Sequence, residues 1–134
     1  MLETDQNFVK KTWINNYQRS QFAIKINPAI YKKYQSVLIE NAIGDSYVLI
    51  AAHNEIEDEI LGFVVVEPLQ HICCVHYLFV KKSYRKFGIG TELMRQASLL
   101  CEDKALFYSA DTAYSHFLRR FDAKYNPYLM LLRI

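Results

Sequence analysis

The side chains best suited to chemistry sit in one stretch of the chain, from Glu67 to Thr91. Its first half reads Glu67-Pro68-Leu69-Gln70-His71-Ile72-Cys73-Cys74-Val75-His76-Tyr77-Leu78 and crowds a carboxylate, imidazoles, thiols and a phenol together. Its second half, Phe79-Val80-Lys81-Lys82-Ser83-Tyr84-Arg85-Lys86-Phe87-Gly88-Ile89-Gly90-Thr91, joins basic side chains to two spaced glycines. The first set can move protons or ligate a metal. The second has the makings of an anion cradle. Gly88 and Gly90 lack a Cβ, so an anion can approach the backbone closely. Arg85 and Lys86 add positive charge. A helix opening at these glycines would point unpaired N–H groups and its positive dipole end at the same place.

The cluster His71, Cys73, Cys74 and His76 does not read as a metal centre. Strand alternation throws Cys73 and Cys74 to opposite faces, and no Cys-x-x-Cys spacing exists. With Cys101 the cysteines number three. None has disulfide-framework spacing, so buried free thiols in a reducing, cytoplasmic setting are expected. The glycines do not complete a Gly-x-x-x-x-Gly-Lys-Ser/Thr loop, nor the full dinucleotide fingerprint Gly-x-Gly-x-x-Gly.

Hydrophobic periodicity supplies the elements that must hold these groups. A helix is expected over Asn7–Arg19 and a second over Pro28–Asn41. Asn27 serves as the second helix's N-cap, Pro28 as its first residue, and Gly44 as its stop. Ile30, Tyr34, Val37 and Leu38 are read as its buried stripe. Apolar, β-branched runs predict strands at Tyr47–Ala52, Ile60–Val66 and Ile72–Val80. The acidic stretch Glu55–Glu59 reads as a solvated hairpin loop. The period then changes to helical over Thr91–Cys101, with Leu93, Met94, Ala97 and Leu100 on the apolar face. A strand at Ala105–Ser109, a helix at Thr112–Phe121 and a terminal strand at Tyr128–Leu132 complete the order α-α-β-β-β-α-β-α-β. The strand–helix–strand portion implies parallel pairing.

The chain has 134 residues, about half of them hydrophobic, with ten tyrosines and eight phenylalanines. One domain with a packed core over residues 1–134 is expected. A net charge of +2 falls short of the strongly basic balance of a nucleic-acid binder. The N-terminus does not resemble a secretory signal, and no apolar run approaches the length of a membrane span.

Leu78-x-Val80 followed by Arg85-x-x-Gly88-x-Gly90 resembles the signature of the GNAT superfamily of N-acetyltransferases. The motif-level resemblance spans about Leu78 to Met94, and the element order extends it over most of the chain. It implies a mixed, mostly antiparallel sheet with one splayed parallel pair and flanking helices. It also implies acetyl-CoA as co-substrate. Backbone amides from Phe87 through Gly88, Ile89 and Gly90 to Thr91, with Arg85 and Lys86 beside them, would hold the pyrophosphate. The main chain of Leu78, Phe79 and Val80 would pair with the pantetheine arm, across a splay from Ala105–Ser109. The family's first strand has no counterpart in residues 1–6; it is either missing or lies at Gln21–Ile26.

Amine acylation needs a base, an acid for the departing sulfur, and an oxyanion donor. His76 shares the Leu78 and Val80 face by strand alternation and is the leading candidate base, ahead of Glu67, His71 and Tyr77; a structural histidine, with water as the only base, is the alternative. The resemblance places a tyrosine further along the helix expected at Thr112–Phe121 as the acid. Aligning Asp111 with the family's asparagine puts Leu118 there instead. Tyr114 is then the nearest tyrosine, with Ser115 and His116 as other options. The expected activity is acetyl transfer to an amine of a protein or small molecule. The alternatives are a DNA- or RNA-modifying protein of the same fold, such as short phage-encoded members, and a non-catalytic CoA-binding module. A monomer or a homodimer paired through the terminal strand is expected.

Overall fold

The computed structural model describes residues 3–18, 27–52, 59–109, 112 and 114–131. Two helices open the chain, α1 (Glu3–Gln18) and α2 (Pro28–Gly44). The Asn27 side chain accepts from the amides of Ala29 and Ile30 at 2.9 and 3.4 Å, and Pro28 takes the first turn. The two helices are tied by the Tyr31 hydroxyl, which donates to the Ile14 carbonyl at 2.8 Å.

The expected stripe on α2 is rotated. Tyr31, Gln35, Ile39, Ala42 and Ile43 are buried, whereas Ile30, Tyr34 and Val37 are 54%, 62% and 52% exposed. Both sets follow helical spacing, so periodicity alone did not choose the face. The Tyr31 hydroxyl bond to α1 and the packing of Ile39, Ala42 and Ile43 into the core did.

The strands β1 (Tyr47–Ala52), β2 (Ile60–Pro68), β3 (Ile72–Val80), β4 (Ala105–Tyr108) and β5 (Lys124–Tyr125) form one sheet in chain order. The pairs β1–β2 and β2–β3 are antiparallel and have the longer ladders; β3–β4 and β4–β5 are parallel. Between β3 and β4 runs α3 (Ile89–Leu100), after a 3₁₀ turn at Lys82–Tyr84. Short helices α4 (Ser115–Arg119) and α5 (Tyr128–Leu131) follow β4 and β5.

Each face of the sheet is covered. Val64, Val66, Val75 and Leu78 pack with Leu93, Met94 and Ala97 of α3 and Leu118 of α4. Phe63, Val65 and Tyr77 pack with Val9 and Trp13 of α1 and Ile39 and Ala42 of α2. Neighbouring residues of β2 therefore enter opposite cores, which explains its continuous apolar run. Each fully buried Val, Leu or Met contributes roughly 1.5–3 kcal/mol.

Three further expectations are corrected. Tyr128–Leu131 is helical, so no terminal strand is available there for pairing across a dimer. The Asn126 side chain accepts from the Tyr128 amide at 3.1 Å, and Pro127 stands between them, repeating the Asn-Pro start of α2. Helix α4 is shorter than the expected Thr112–Phe121 span. Cys73 is not a free thiol. It enters the α3 core, where Cys101 caps that helix, and the two are joined in a disulfide with Cα atoms 5.9 Å apart. Cys74, on the opposite face, is free and buried. The expected strand at Gln21–Ile26 and most of the acidic loop lie outside the described residues.

Candidate active site

The site is organised by a bulge and a fork. Val65 pairs with Tyr77 and Val66 with Val75, so His76 is an extra residue in β3. Such a bulge breaks alternation and re-aims a side chain. His76 therefore does not share the Leu78 and Val80 face. It turns to the α1 face, where the Trp13 ring stacks on it with centroids 6.4 Å apart. The Trp13 ring also lies over Tyr77 at 5.5 Å and 9°.

The fork lies beside the bulge. Ladder pairing between β3 and β4 ends at Val75 and Tyr108, and the Ser109 amide makes a last, long bond to the Val75 carbonyl at 3.4 Å. Beyond it, no pairing of β3 with β4 is seen among the described residues. Val80 instead donates its N–H to the Tyr114 hydroxyl and accepts that hydroxyl's proton at its carbonyl, both at 3.0 Å. Tyr114 so lines the parted segment.

At the fork, side chains from β2, from β3 and from the residue just past β4 meet out of solvent. His76 Nε2 is 2.9 Å from Glu67 Oε1, and His76 Nδ1 is 2.8 Å from Ser109 Oγ. All three are buried. With Glu67 as the carboxylate, Nε2 carries the ring proton and donates it, leaving Nδ1 to accept from the serine hydroxyl. Glu67 and His76 meet at ion-pair distance, yet burial dominates and pushes the imidazole down to about 4. The contact is thus a hydrogen bond from neutral imidazole to carboxylate. Cys74 reaches the same ring nitrogen at 3.6 Å, and burial raises its thiol to about 12. It is protonated at neutral pH and is no nucleophile.

The far end of the parted edge meets α3. Gly88 is the N-cap of that helix, with φ of 77°, and no side chain caps it. The helix begins at Ile89, two residues earlier than expected. His76 and Val80 are four positions apart in β3, or about 13 Å of strand at roughly 3.3 Å per residue. A Cβ on Gly90 would lie 3.6 Å from Val80 Cγ2, so the helix start adjoins the strand edge. Arg85, Lys86, Phe87 and Gly88 are exposed around it, and the Arg85 Nε donates to the Val80 carbonyl at 3.1 Å.

The family model for the GNAT acetyltransferase domain matches residues 44–122. The chain belongs to the GNAT acetyltransferase family. It is an acetyltransferase whose acyl donor is acetyl-CoA. The fold agrees. It resembles a structure from Pyrococcus furiosus assigned as an acetyl transferase, with TM-score 0.67 and 19% identity, covering 90% of this chain and 86% of that one. It also resembles a GNAT-family acetyltransferase from Staphylococcus aureus, with TM-score 0.60 and 17% identity, covering 90% and 77%. No curated protein sequence matches the chain. No helix among the described residues is long and apolar enough to cross a membrane.

In this GNAT fold the residues read from sequence separate into two groups. Leu78, Phe79, Val80, Arg85 to Thr91 and Tyr114 border the parted edge and the α3 start. His71 and His116 are exposed and stand apart from them. Ser115 is buried and accepts from the Thr112 amide at 2.9 Å, which commits it to starting α4. Leu118 is buried in the α3-side core. Ser109 was missed: it lies 33 residues from His76, and only the parallel pairing brings them together.

Proposed function

We propose that this acetyltransferase moves the acetyl group to an amine by direct attack on the thioester, with His76 as the base and Tyr114 as the acid. The fork supports this reading above any other observation. Among the described residues it leaves a strand edge without a β4 partner between a buried imidazole and a helix start that no side chain caps. Bound acetyl-CoA supplies the activated acyl carbon. The amides from Phe87 to Thr91, with Arg85 and Lys86, would hold its pyrophosphate. The backbone of Leu78 to Val80 would hold its pantetheine arm, while the Tyr114 phenol gives up Val80 and turns its O–H into the parted segment.

Thermal melting with acetyl-CoA and desulfo-CoA, followed by thiol release from acetyl-CoA with a lysine peptide, a free N-terminal peptide and spermidine, tests the reading. Stabilisation by both ligands together with amine-dependent thiol release is expected. Stabilisation without any release would instead favour a CoA-binding module, and no stabilisation would sink the cofactor assignment.

A further inference from the structure

His76 poses a difficulty as a base. It is 2% exposed, and both of its ring nitrogens are engaged, by Glu67 and by Ser109. Its Nε2 proton is held by the carboxylate. Its Nδ1 lone pair, the basic position, is already covered by the serine hydroxyl. The indole of Trp13 from α1 covers the ring, and the thiol of Cys74 reaches Nδ1 from the same strand. A substrate amine therefore has no direct route to the imidazole. Ser109 is buried too, at 3% exposed, but differs from both partners in its position. It stands on the first residue past the β4 ladder, where β3 and β4 begin to part.

We propose that Ser109 is the group that takes the proton from the attacking amine, passing its own hydroxyl proton to His76 Nδ1 while Glu67 stabilises the resulting imidazolium. This rests on the acetyltransferase reading above and supplies the contact that reading lacks. The balance closes. The amine N–H proton moves to Ser109 Oγ as the serine proton moves to Nδ1. The C–N bond forms and the thioester C–S bond breaks. The sulfur takes the Tyr114 phenol proton, and the imidazolium proton returns by way of Ser109 Oγ and then solvent to the Tyr114 phenolate. The net change is amine plus thioester to amide plus thiol. Glu67 is a positioning residue: it fixes the tautomer that leaves Nδ1 free to accept. Burial keeps the resting imidazole neutral, and the carboxylate opposite Nε2 makes its brief protonation attainable.

The test compares the wild type with Ser109→Ala, Ser109→Thr and Glu67→Gln, using acetyl-CoA and the three amine probes named above. Ser109→Ala should lose kcat by about 100-fold, the lower end of the range for general base catalysis. Its KM for acetyl-CoA and its stabilisation by desulfo-CoA should be unchanged. Ser109→Thr keeps the hydroxyl and should recover most of the rate. Glu67→Gln should lower the plateau and move the acid limb of the kcat–pH profile to lower pH. In the free wild-type protein, nitrogen NMR should show a protonated Nε2 and an unprotonated Nδ1 on His76. The opposite tautomer overturns the relay. So does a Ser109→Ala rate within about twofold of wild type, or an equal loss in Ser109→Ala and Ser109→Thr. A wild type neither stabilised by desulfo-CoA nor able to release thiol overturns the transferase reading, and the relay with it.

Discussion

The Tyr114 hydroxyl lies 3.0 Å from both the backbone nitrogen and the carbonyl oxygen of Val80. One phenol thus satisfies the two backbone groups that β4 would have taken had the strands stayed paired. The Arg85 Nε bonds to the same carbonyl at 3.1 Å, and its guanidinium sits 5.6 Å from the Tyr114 ring centre. An unpaired backbone pair at a half-buried edge is costly. Tyr114 removes that cost in the free protein and must vacate the edge for any ligand that pairs with Val80.

Tyr114→Phe should therefore separate binding from turnover. The variant loses two hydrogen bonds that only the free protein makes, each worth about 1 kcal/mol net, so desulfo-CoA should bind roughly 30-fold more tightly. Turnover should fall, because the acid is gone. Calorimetric titration beside steady-state rates checks both. Weaker binding by Tyr114→Phe would mean that the phenol contacts the ligand rather than competing with it.

Gly88 and Gly90 should respond differently to a side chain. Nothing lies within 4 Å of a Cβ on Gly88, but its φ of 77° is left-handed. Gly88→Val should cost about 1–3 kcal/mol through that backbone conformation alone. It should also abolish stabilisation by desulfo-CoA, since relaxing φ re-aims the first amides of α3. A Cβ on Gly90 meets the Phe117 ring at 3.2 Å. Gly90→Ala asks that ring to shift by a few tenths of an ångström, so a small drop in Tm with ligand stabilisation retained is expected. Equal behaviour of the two variants in thermal melts would contradict this division.

The strands and the loop were legible because their signals are local. Runs of β-branched residues, Asn27-Pro28, and a glycine pair after a basic turn each act within a few residues. What escaped depended on long-range geometry. The bulge at His76 is visible only in the β2–β3 register, and it reversed the face assigned to that side chain. Ser109 gave no spacing signal, because the parallel crossover sets its distance from His76. The Asn126-Pro127 signal was present, but the apolar run Tyr128–Leu132 outweighed it. Five apolar residues fit a buried strand or a helical turn equally well.

Acid should weaken the fold through His76. Burial holds its folded pKa near 4, below the ordinary value of 6.5. The unfolded chain then binds a proton that the folded chain refuses between those two values, so stability is full above about pH 6.5 and falls as pH drops toward 4. The contribution is on the order of 3 kcal/mol. His76→Gln removes the titrating group and should flatten this part of the curve. Urea unfolding of both proteins across that window decides it; parallel curves would place the acid sensitivity elsewhere.

Gly62 should matter through the same strand edge that Tyr114 closes. It is the register partner of Val80, whose N–H and C=O turn away from it to Tyr114. Such a non-hydrogen-bonded pair brings the two backbones closest. A Cβ on Gly62 would lie 2.6 Å from the Phe79 carbonyl oxygen and 3.2 Å from Val80 Cα. Both are backbone atoms, so no side chain can swing aside. β3 would have to move away from β2, carrying Val80 with it. Gly62→Ala should then destabilise by roughly 1–3 kcal/mol, as overpacking does. It should also weaken desulfo-CoA binding, because the displaced segment is the one that would hold pantetheine. Gly44→Ala is the control. Nothing lies within 4 Å of its Cβ and its φ is not left-handed, so it should be neutral or slightly stabilising. If Gly62→Ala unfolds in urea at the same midpoint as Gly44→Ala, the close approach at Val80 is not what fixes the cleft.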